Sequence, residues 1–278
     1  NQMVNLTYTL PFDKLPITDW ITANATYSAA YKWDRAPLTQ DSVGNTIQNA
    51  RNINLNGQFN FVSLYNKIKF LKKINDKARS NGAPKRPAKA PAGGKGGANT
   101  KADDKTSGGI HPLEGLARVL MTVRTGTFTY SQNSGILLPG WGQGANVLGM
   151  APGFGAPGFG FLLGQQNQNL SGDIVRDFAS EAAGKGWLVK TPSIFNPYTD
   201  TRTESINGRL TLEPFKSMRV ELLATLIASE NRSSFCRWNE TEQRYVNDSA
   251  QQFGSFSVST IDWATTFSRD EANSVKSV

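Results

Sequence analysis

Residues 21–33 read Ile-Thr-Ala-Asn-Ala-Thr-Tyr-Ser-Ala-Ala-Tyr-Lys-Trp, and this stretch decides the fold class. Its odd positions are all apolar or aromatic, and its even positions are polar except Ala30. Successive side chains of a β-strand point to opposite faces of the sheet, so the alternation predicts a strand with one apolar and one polar face. The pattern lasts about fourteen residues, whereas strands of soluble sheets usually have about five or six. Because about 9–11 tilted residues cross a bilayer, the length favours a membrane-spanning strand.

Six further stretches alternate in the same way, the last of them least regularly. Their polar positions are rich in Asn, Gln and Thr and poor in charge, which suits a water-filled lumen. A soluble β-sandwich also alternates, but its strands are usually shorter. The pattern therefore predicts an all-β chain: about seven long antiparallel strands that form a segment of a much larger transmembrane β-barrel, with short helices in the connections. The further stretches are 4–10, 52–61, 119–131, 204–213, 218–229 and 253–267.

The alternation also predicts which way side chains face. The positions expected to face lipid are Val4, Leu6, Tyr8, Ala25, Tyr27, Ala29, Leu55 and Phe59. The positions expected to face the lumen are Asn24, Thr26, Asn54, Asn56 and Gln58. Aromatic residues gather at strand ends, where the interfacial girdles of membrane barrels lie, and these are Trp20, Tyr31 and Trp33.

The connections predict the domain organisation. Residues 1–63 carry three barrel strands, 64–118 a periplasmic excursion, and 119–278 four more strands. The excursion begins with an amphipathic helix over 64–77, with Leu64, Ile68 and Leu71 on one face. It continues as a Lys-, Pro-, Ala- and Gly-rich tract over 78–108 that is expected to be disordered. Short turns lie on the periplasmic side of such barrels, so residues 34–49, 132–203 and 230–252 are expected to be extracellular loops.

The long predicted loop 132–203 contains an unusual run of Gly, Pro and aromatic residues. Repeated Pro-Gly pairs indicate a chain of turns. Trp141, Phe154, Phe159 and Phe161 then either pack against one another in a closed loop, or form a lid or a partner-binding surface at the rim of the barrel. The two interpretations are compatible.

Composition argues against most other classes of function. Cys236 and His111 are the only residues of their kinds, so no internal disulfide is possible and no metal or catalytic motif stands out. We expect neither an enzyme nor a bound cofactor. The net charge of +8 comes from residues 67–105, which contain twelve Lys or Arg and only three Asp. A basic tract of this kind is usually a solvated spacer, so nucleic-acid binding is not expected. Mean hydropathy is −0.41 and no apolar run is long enough for a membrane helix. No signal peptide precedes the first strand, so we expect an internal fragment of an exported protein.

Several stretches, spread in order along nearly the whole chain, carry a resemblance to one family. The stretches are 6–16, 27–33, 36–38, 44–49, 54–57, 64–67, 138–140, 156–161, 164–165 and 212–214. They resemble SprA, also called Sov, the giant outer-membrane translocon of the type IX secretion system of Bacteroidetes, which is linked to gliding motility. The resemblance implies a protein-conducting pore that exports folded cargo with C-terminal sorting domains and works with lipoprotein and plug subunits. It also implies contact with outer-membrane lipids and a location in the cell outer membrane.

Two other functions fit the alternating pattern. A TonB-dependent uptake barrel has similar strands, but it needs a plug domain and an energy-coupling box, and the sequence shows neither. A soluble β-rich adhesin or carbohydrate-binding module is the other alternative. Partitioning into liposomes or detergent separates the adhesin from both barrels, and the neighbouring sequence separates the two barrels.

Overall fold

A computed structural model describes residues 1–72, 120–215 and 218–259. The described residues form one antiparallel sheet of seven strands in sequence order, which confirms the expected strand number and the predominantly β, antiparallel character of the chain. The sheet is not closed, and β1 and β7 are its outermost described strands. The strands are β1 (Gln2–Leu10), β2 (Ile21–Asp34), β3 (Asn45–Asn60), β4 (Val123–Trp141), β5 (Tyr198–Phe215), β6 (Met218–Asn239) and β7 (Arg244–Ser259).

Every strand except β2 extends further at one end or both than the alternation predicted, and β3 already begins at Asn45, inside the predicted loop 34–49. β4 continues to Trp141 instead of ending at Ser131, and β5 already begins at Tyr198. The predicted loop 230–252 is wrong, because β6 and β7 fill it except for a turn at 240–243. At the start of several of these added lengths polar side chains occupy the side that is apolar elsewhere, so the alternation is interrupted although the strand continues; examples are Gln132, Arg202 and Glu230.

The β1–β2 register places six of the eight predicted lipid-facing residues on one face. Residues opposite each other in an antiparallel pair project to the same side. Leu6 lies opposite Tyr27, Tyr8 opposite Ala25, and Val4 opposite Ala29. We call this side the apolar face.

The other side, which we call the polar face, carries hydrogen bonds between uncharged side chains of neighbouring strands. Asn52 of β3 bonds Asn133 of β4 through their amides. Thr203 and Ser229 join β5 to β6 at 3.0 Å, and Thr225 donates to Asn207 at 3.1 Å one step further along the same two strands. The two faces therefore differ chemically over several strands.

The register of the β6–β7 hairpin shifts by one residue between Ser233 and Phe235. This β-bulge adds one residue to β7, at Ser249, whose φ is +53°. A bulge reverses which residue parity lies on a given face. Tyr245 before the bulge and Gln252 after it consequently lie on the same face of the sheet.

The described chain divides into two compact units. The first contains Asn1–Gln58, Thr127–Arg209 and the described part of Leu222–Val278. The second contains the described parts of Phe59–Gly126 and Leu210–Glu221.

In the second unit, α1 (Phe61–Lys67) begins three residues before the predicted helix. The Asn60 side chain caps it by accepting from Ser63 N at 3.2 Å. The buried residue of this helix is Tyr65, which packs with Met121, Phe61 and Leu71. Of the predicted apolar helix face, Leu71 is therefore packed, but Ile68 is half exposed because the helix ends there. The predicted disordered tract 78–108 lies outside the described residues.

The β4–β5 insertion, residues 142–197, belongs to the first unit. It contains turns, two short helices, α2 (Phe159–Leu162) and α3 (Phe178–Gly184), and single 3-10 turns at Val147–Gly149 and Pro152–Phe154. Asp177 caps α3 by accepting from Ala179 N at 3.1 Å and from Ser180 N at 3.2 Å. Among the described helices, none has the length and apolar character needed to cross a bilayer.

Candidate functional site

The β4–β5 insertion folds around an aromatic core that it shares with the strands beneath it. Phe161 stacks on Phe178 with ring centroids 4.3 Å apart, and meets Tyr31 of β2 edge-on at 6.0 Å. Trp141 and Trp187 are 5.5 Å apart in an edge-on pair. Trp141 and Phe161 are both almost fully buried. Of the two interpretations of this loop, mutual packing fits these two residues, because they form the core that holds the insertion together and are not exposed to a partner.

Asn49 fastens the insertion to β3. Its amide nitrogen donates to the carbonyl oxygens of Phe161 at 3.1 Å and Gln165 at 2.9 Å. Its amide oxygen accepts from Ile136 N at 3.2 Å and from Gln166 Nε2 at 3.1 Å. All four hydrogen-bonding positions of this fully buried amide are used, so Asn49 links the insertion with two strands.

Asn167 makes the corresponding link to β5. Its side-chain nitrogen donates to Tyr198 Oη at 2.5 Å and to Asp200 Oδ2 at 3.0 Å. Its side-chain oxygen accepts from Phe178 N at 3.1 Å, at the start of α3. One amide therefore joins a helix of the insertion to two residues of a strand.

Arg202 supplies a charged link at the middle of β5. Its guanidinium donates to the carbonyl oxygens of Asn169 at 2.8 Å and Leu170 at 2.7 Å, and pairs with Glu204. Glu204 also accepts from Gln132 Nε2 at 2.8 Å and Tyr130 Oη at 3.0 Å. The carboxylate offsets the buried charge of Arg202, as a desolvated cation requires.

The last strands hold the far end of the insertion. Tyr245 Oη donates to Leu188 O at 2.8 Å, and Trp238 N donates to Thr191 O at 3.2 Å. Between insertion and strands lies a cleft of about 360 Å³ whose lining includes Arg176, Asp200 and Arg232.

An ion-pair cluster on α3 stabilises the insertion itself. Burial would raise the pKa of Glu181, but hydrogen bonds from Lys185 and Arg176 outweigh it and hold that pKa below its ordinary value of 4.5. Both nitrogens lie 2.5 Å from the carboxylate.

The insertion covers part of the face predicted to meet lipid. Ala29 is buried, because Gly164 lies over it at a φ of +83° with too little room for a side chain. Tyr31, predicted as a girdle residue, is buried and donates to Gly149 O at 2.8 Å. The side chains of Ala29 and Tyr31 are therefore not exposed for the lipid contacts that the sequence predicted. Tyr27 is half buried and donates to Leu163 O, and Trp33 packs against the insertion core.

The rest of the predicted lipid-facing set lies outside this cover. Leu6 and Tyr8 are 63% and 58% exposed, and Val4 is also exposed. Ala25 and Leu55 are half buried, and Phe59, in the second unit, is half buried and stacks on Phe61 at 6.3 Å. Trp20 donates to Ile17 O at 2.9 Å in the β1–β2 link. The predicted lumen-facing residues Asn24, Thr26, Asn54, Asn56 and Gln58 alternate with these apolar residues and are exposed or half buried.

Two of the four aromatic residues predicted at the rim stay exposed. Phe154 and Phe159 stack on each other at 5.9 Å and are 47% and 56% exposed. Leu163 follows Phe159 one helical turn later, with its N–H bonded to Phe159 O at 2.9 Å, and is 50% exposed. We call Phe154, Phe159 and Leu163 the aromatic tip of the insertion.

Sequence reasoning missed the polar residues that fasten the insertion. Asn49, Gln132, Asn167 and Arg202 look like ordinary loop or lumen residues, because polarity alone does not reveal a buried partner. One available signal was the absence of any charged residue between Arg124 and Asp173, which is unusual for a solvent-exposed loop.

The described residues hold no group of three or more side chains suited to a metal ion. No protein-family model matches the chain, and the comparison with curated proteins found no match either. The site is therefore characterised by its own geometry: a two-faced sheet whose apolar face is partly covered by a fastened insertion.

Proposed function

We propose that this chain is part of the wall of a transmembrane β-barrel in an outer membrane. More specifically, it forms a segment of the protein-conducting translocon of type IX secretion, which exports folded cargo and supports gliding motility. The chain acts as a structural wall, with no catalytic step and no cofactor of its own.

The observation that carries the proposal is the contrast between the two faces of one sheet. The apolar face presents Leu6, Tyr8 and Phe256, each more than half exposed. Such a surface is unfavourable in water, at a cost of about 25 cal/mol per Å² of apolar area, and favourable against lipid. The polar face is rich in Asn, Thr and Ser that bond to one another across strands, which suits a wet lumen.

Strand length and the sheet edges support a barrel over a sandwich. The strands from β2 to β7 have 14 to 22 residues, more than the roughly 9–11 that a bilayer needs, so parts of them extend beyond the membrane. The outermost strands β1 and β7 present backbone groups that a membrane cannot satisfy. Neighbouring strands from the rest of a larger barrel would pair with them.

The translocon assignment within the barrel class rests on the resemblance to the SprA family. A lumen wall with few charged side chains is compatible with cargo that moves past without being held, because it offers few charged sites at which one solute would bind. The partners implied are folded cargo proteins with C-terminal sorting domains, lipoprotein or plug subunits, and outer-membrane lipids. Nucleic acid is not among them.

Depletion of the full-length protein in its own cells tests this function. We expect secreted proteins with C-terminal sorting domains to accumulate, folded, inside the outer membrane, and we expect the wild-type gene to restore export. A variant with Asn56→Ala on the polar face serves as a matched control and should restore export equally. Normal export combined with lost uptake of a nutrient would favour a TonB-dependent barrel instead.

A further inference from the structure

The aromatic tip lies on the same side of the sheet as the apolar face. Tyr27 of β2 donates to the backbone oxygen of Leu163 at the tip, and Gly164 covers Ala29. Tyr27 in turn lies opposite Leu6 in the strand register, so their side chains are neighbours. The tip therefore adjoins the apolar face at Tyr27, whose strand neighbour Leu6 is exposed.

The composition around the tip matches a lipid surface. No charged residue occurs between Arg124 and Asp173, so the tip and its supporting turns would bring no charge into an apolar layer. Soluble loops that only pack on themselves rarely expose a stacked aromatic pair, and exposed apolar patches usually meet a partner or a membrane.

The backbone holds the tip in a strained conformation. Phe154 has a φ of +59° and Leu148, in the preceding turn, a φ of +58°. Residues other than glycine rarely adopt this region, and such strain concentrates at functional positions. Here the strained turn displays Phe154 to the outside, where it stacks on Phe159.

We propose that the aromatic tip dips into the interfacial layer of the outer leaflet and anchors the insertion to the membrane surface beside the barrel wall. The proposal rests on the proposed membrane location of the sheet. Aromatic and leucine side chains favour this layer, where rings contact acyl chains near the headgroups. The lipid acyl chain is the ligand, and the tip adds an attachment beside the strands.

Fluorescence quenching in the intact full-length protein, reconstituted in lipid vesicles, tests the proposal. Cys236, the only cysteine of this chain, is buried, so an NBD label can be placed selectively at Phe159→Cys in a full-length background whose cysteines outside this chain are replaced by Ser. A nitroxide on the lipid acyl chain near the headgroup should quench this label several-fold more than a label at Ser171→Cys, an exposed polar position of the same insertion. A label at Phe154→Cys should behave like the one at Phe159→Cys.

A third label at Leu6→Cys distinguishes the membrane location of the sheet from the anchoring by the aromatic tip. Quenching at position 6 together with equal, weak quenching at 159 and 171 would overturn the tip anchor and leave the barrel wall intact. No quenching at position 6 would overturn the membrane location itself. A label at 159 that is shielded by a co-purifying protein, and not quenched by lipid, would assign the tip to a protein partner and also overturn the proposal.

Discussion

At the residue scale, buried amides decide where the insertion is fastened. Asn49 uses both ends of its side chain to bond backbone groups of Ile136, Phe161 and Gln165. The sequence predicted the apolar lipid-facing positions but no role for this asparagine. Sequence alone does not show whether an Asn in a strand is hydrated or bonded to a buried carbonyl.

Replacing Asn49 by Ala should loosen the insertion. Three buried backbone groups would lose their partners, at a combined cost of about 3 kcal/mol for the docked insertion. Since each 1.4 kcal/mol changes an equilibrium about tenfold, trypsin should cut at the exposed Lys185 and Lys190 about a hundredfold faster. Asn56→Ala on the polar face is the control and should leave the rate unchanged. Equal rates in both variants would show that Asn49 does not fasten the insertion.

Glu181 should make the insertion sensitive to acid. Its pKa is lowered in the folded state, so its stabilising contribution is complete above its ordinary pKa of 4.5 and is lost as pH falls through the lowered value. The protection factors of the α3 amides, which correct for the intrinsic pH dependence of hydrogen exchange, should therefore fall below pH 4.5 in the wild type and depend less on pH in Glu181→Gln. Glu240→Gln, at an exposed position, should retain the wild-type pH dependence. An unchanged profile in the Glu181 variant would contradict this role.

At the element scale, alternation predicted strand identity well and strand ends poorly. β2 spans the predicted residues, because its apolar and polar positions alternate to the end. β4 and β6 do not follow the prediction, since Gln132 and Glu230 occupy positions on the apolar side, where Leu170 O and Gln168 Nε2 of the insertion are their polar partners. The two exposed and two buried aromatics of the Gly-Pro loop were likewise indistinguishable from sequence.

The two faces of β3 should tolerate charge very differently. Leu55→Arg would place a guanidinium against lipid and should destabilise the folded full-length barrel by about 2–4 kcal/mol near mid-membrane. Asn54→Arg, one residue away on the polar face, should cost little. Urea-dependent unfolding in lipid vesicles measures both changes. Equal losses at 54 and 55 would contradict the proposed facing.

At the whole-molecule scale, the antiparallel order of the strands fixes which connections share a side. The β2–β3 link, the β4–β5 insertion and the 240–243 turn each join the end of an even-numbered strand to the next strand. The sequence predicted this parity from loop length. It could not predict that the insertion packs on the apolar face, because that placement depends on contacts between residues more than a hundred positions apart, such as Tyr31 and Gly149.

Protease sites inserted into the full-length protein test the predicted topology. A site in the 240–243 turn should be cut when protease is added to whole cells, because that side is predicted to be extracellular. Sites in the β1–β2 link at residues 12–18 and in the tract 78–108 should be cut only after the outer membrane is permeabilised. The reverse pattern would invert the topology.

The bulge at Ser249 has a consequence for how this strand tolerates changes in length. If β7 continued without it in the register of its first residues, Ser255 and Ser257 would take the places that Phe256 and Val258 now occupy beside Ala228 and Leu226. The extra residue thus keeps Phe256 and Val258 on the apolar face. Deletion of Ser249 alone would remove the bulge and leave the side chains on both sides of it on their present faces. Deletion of Ser255 would instead move every later side chain of β7 to the opposite face of the sheet. Tolerance to deletion along β7 should therefore be concentrated at the one position where the strand already carries a surplus residue.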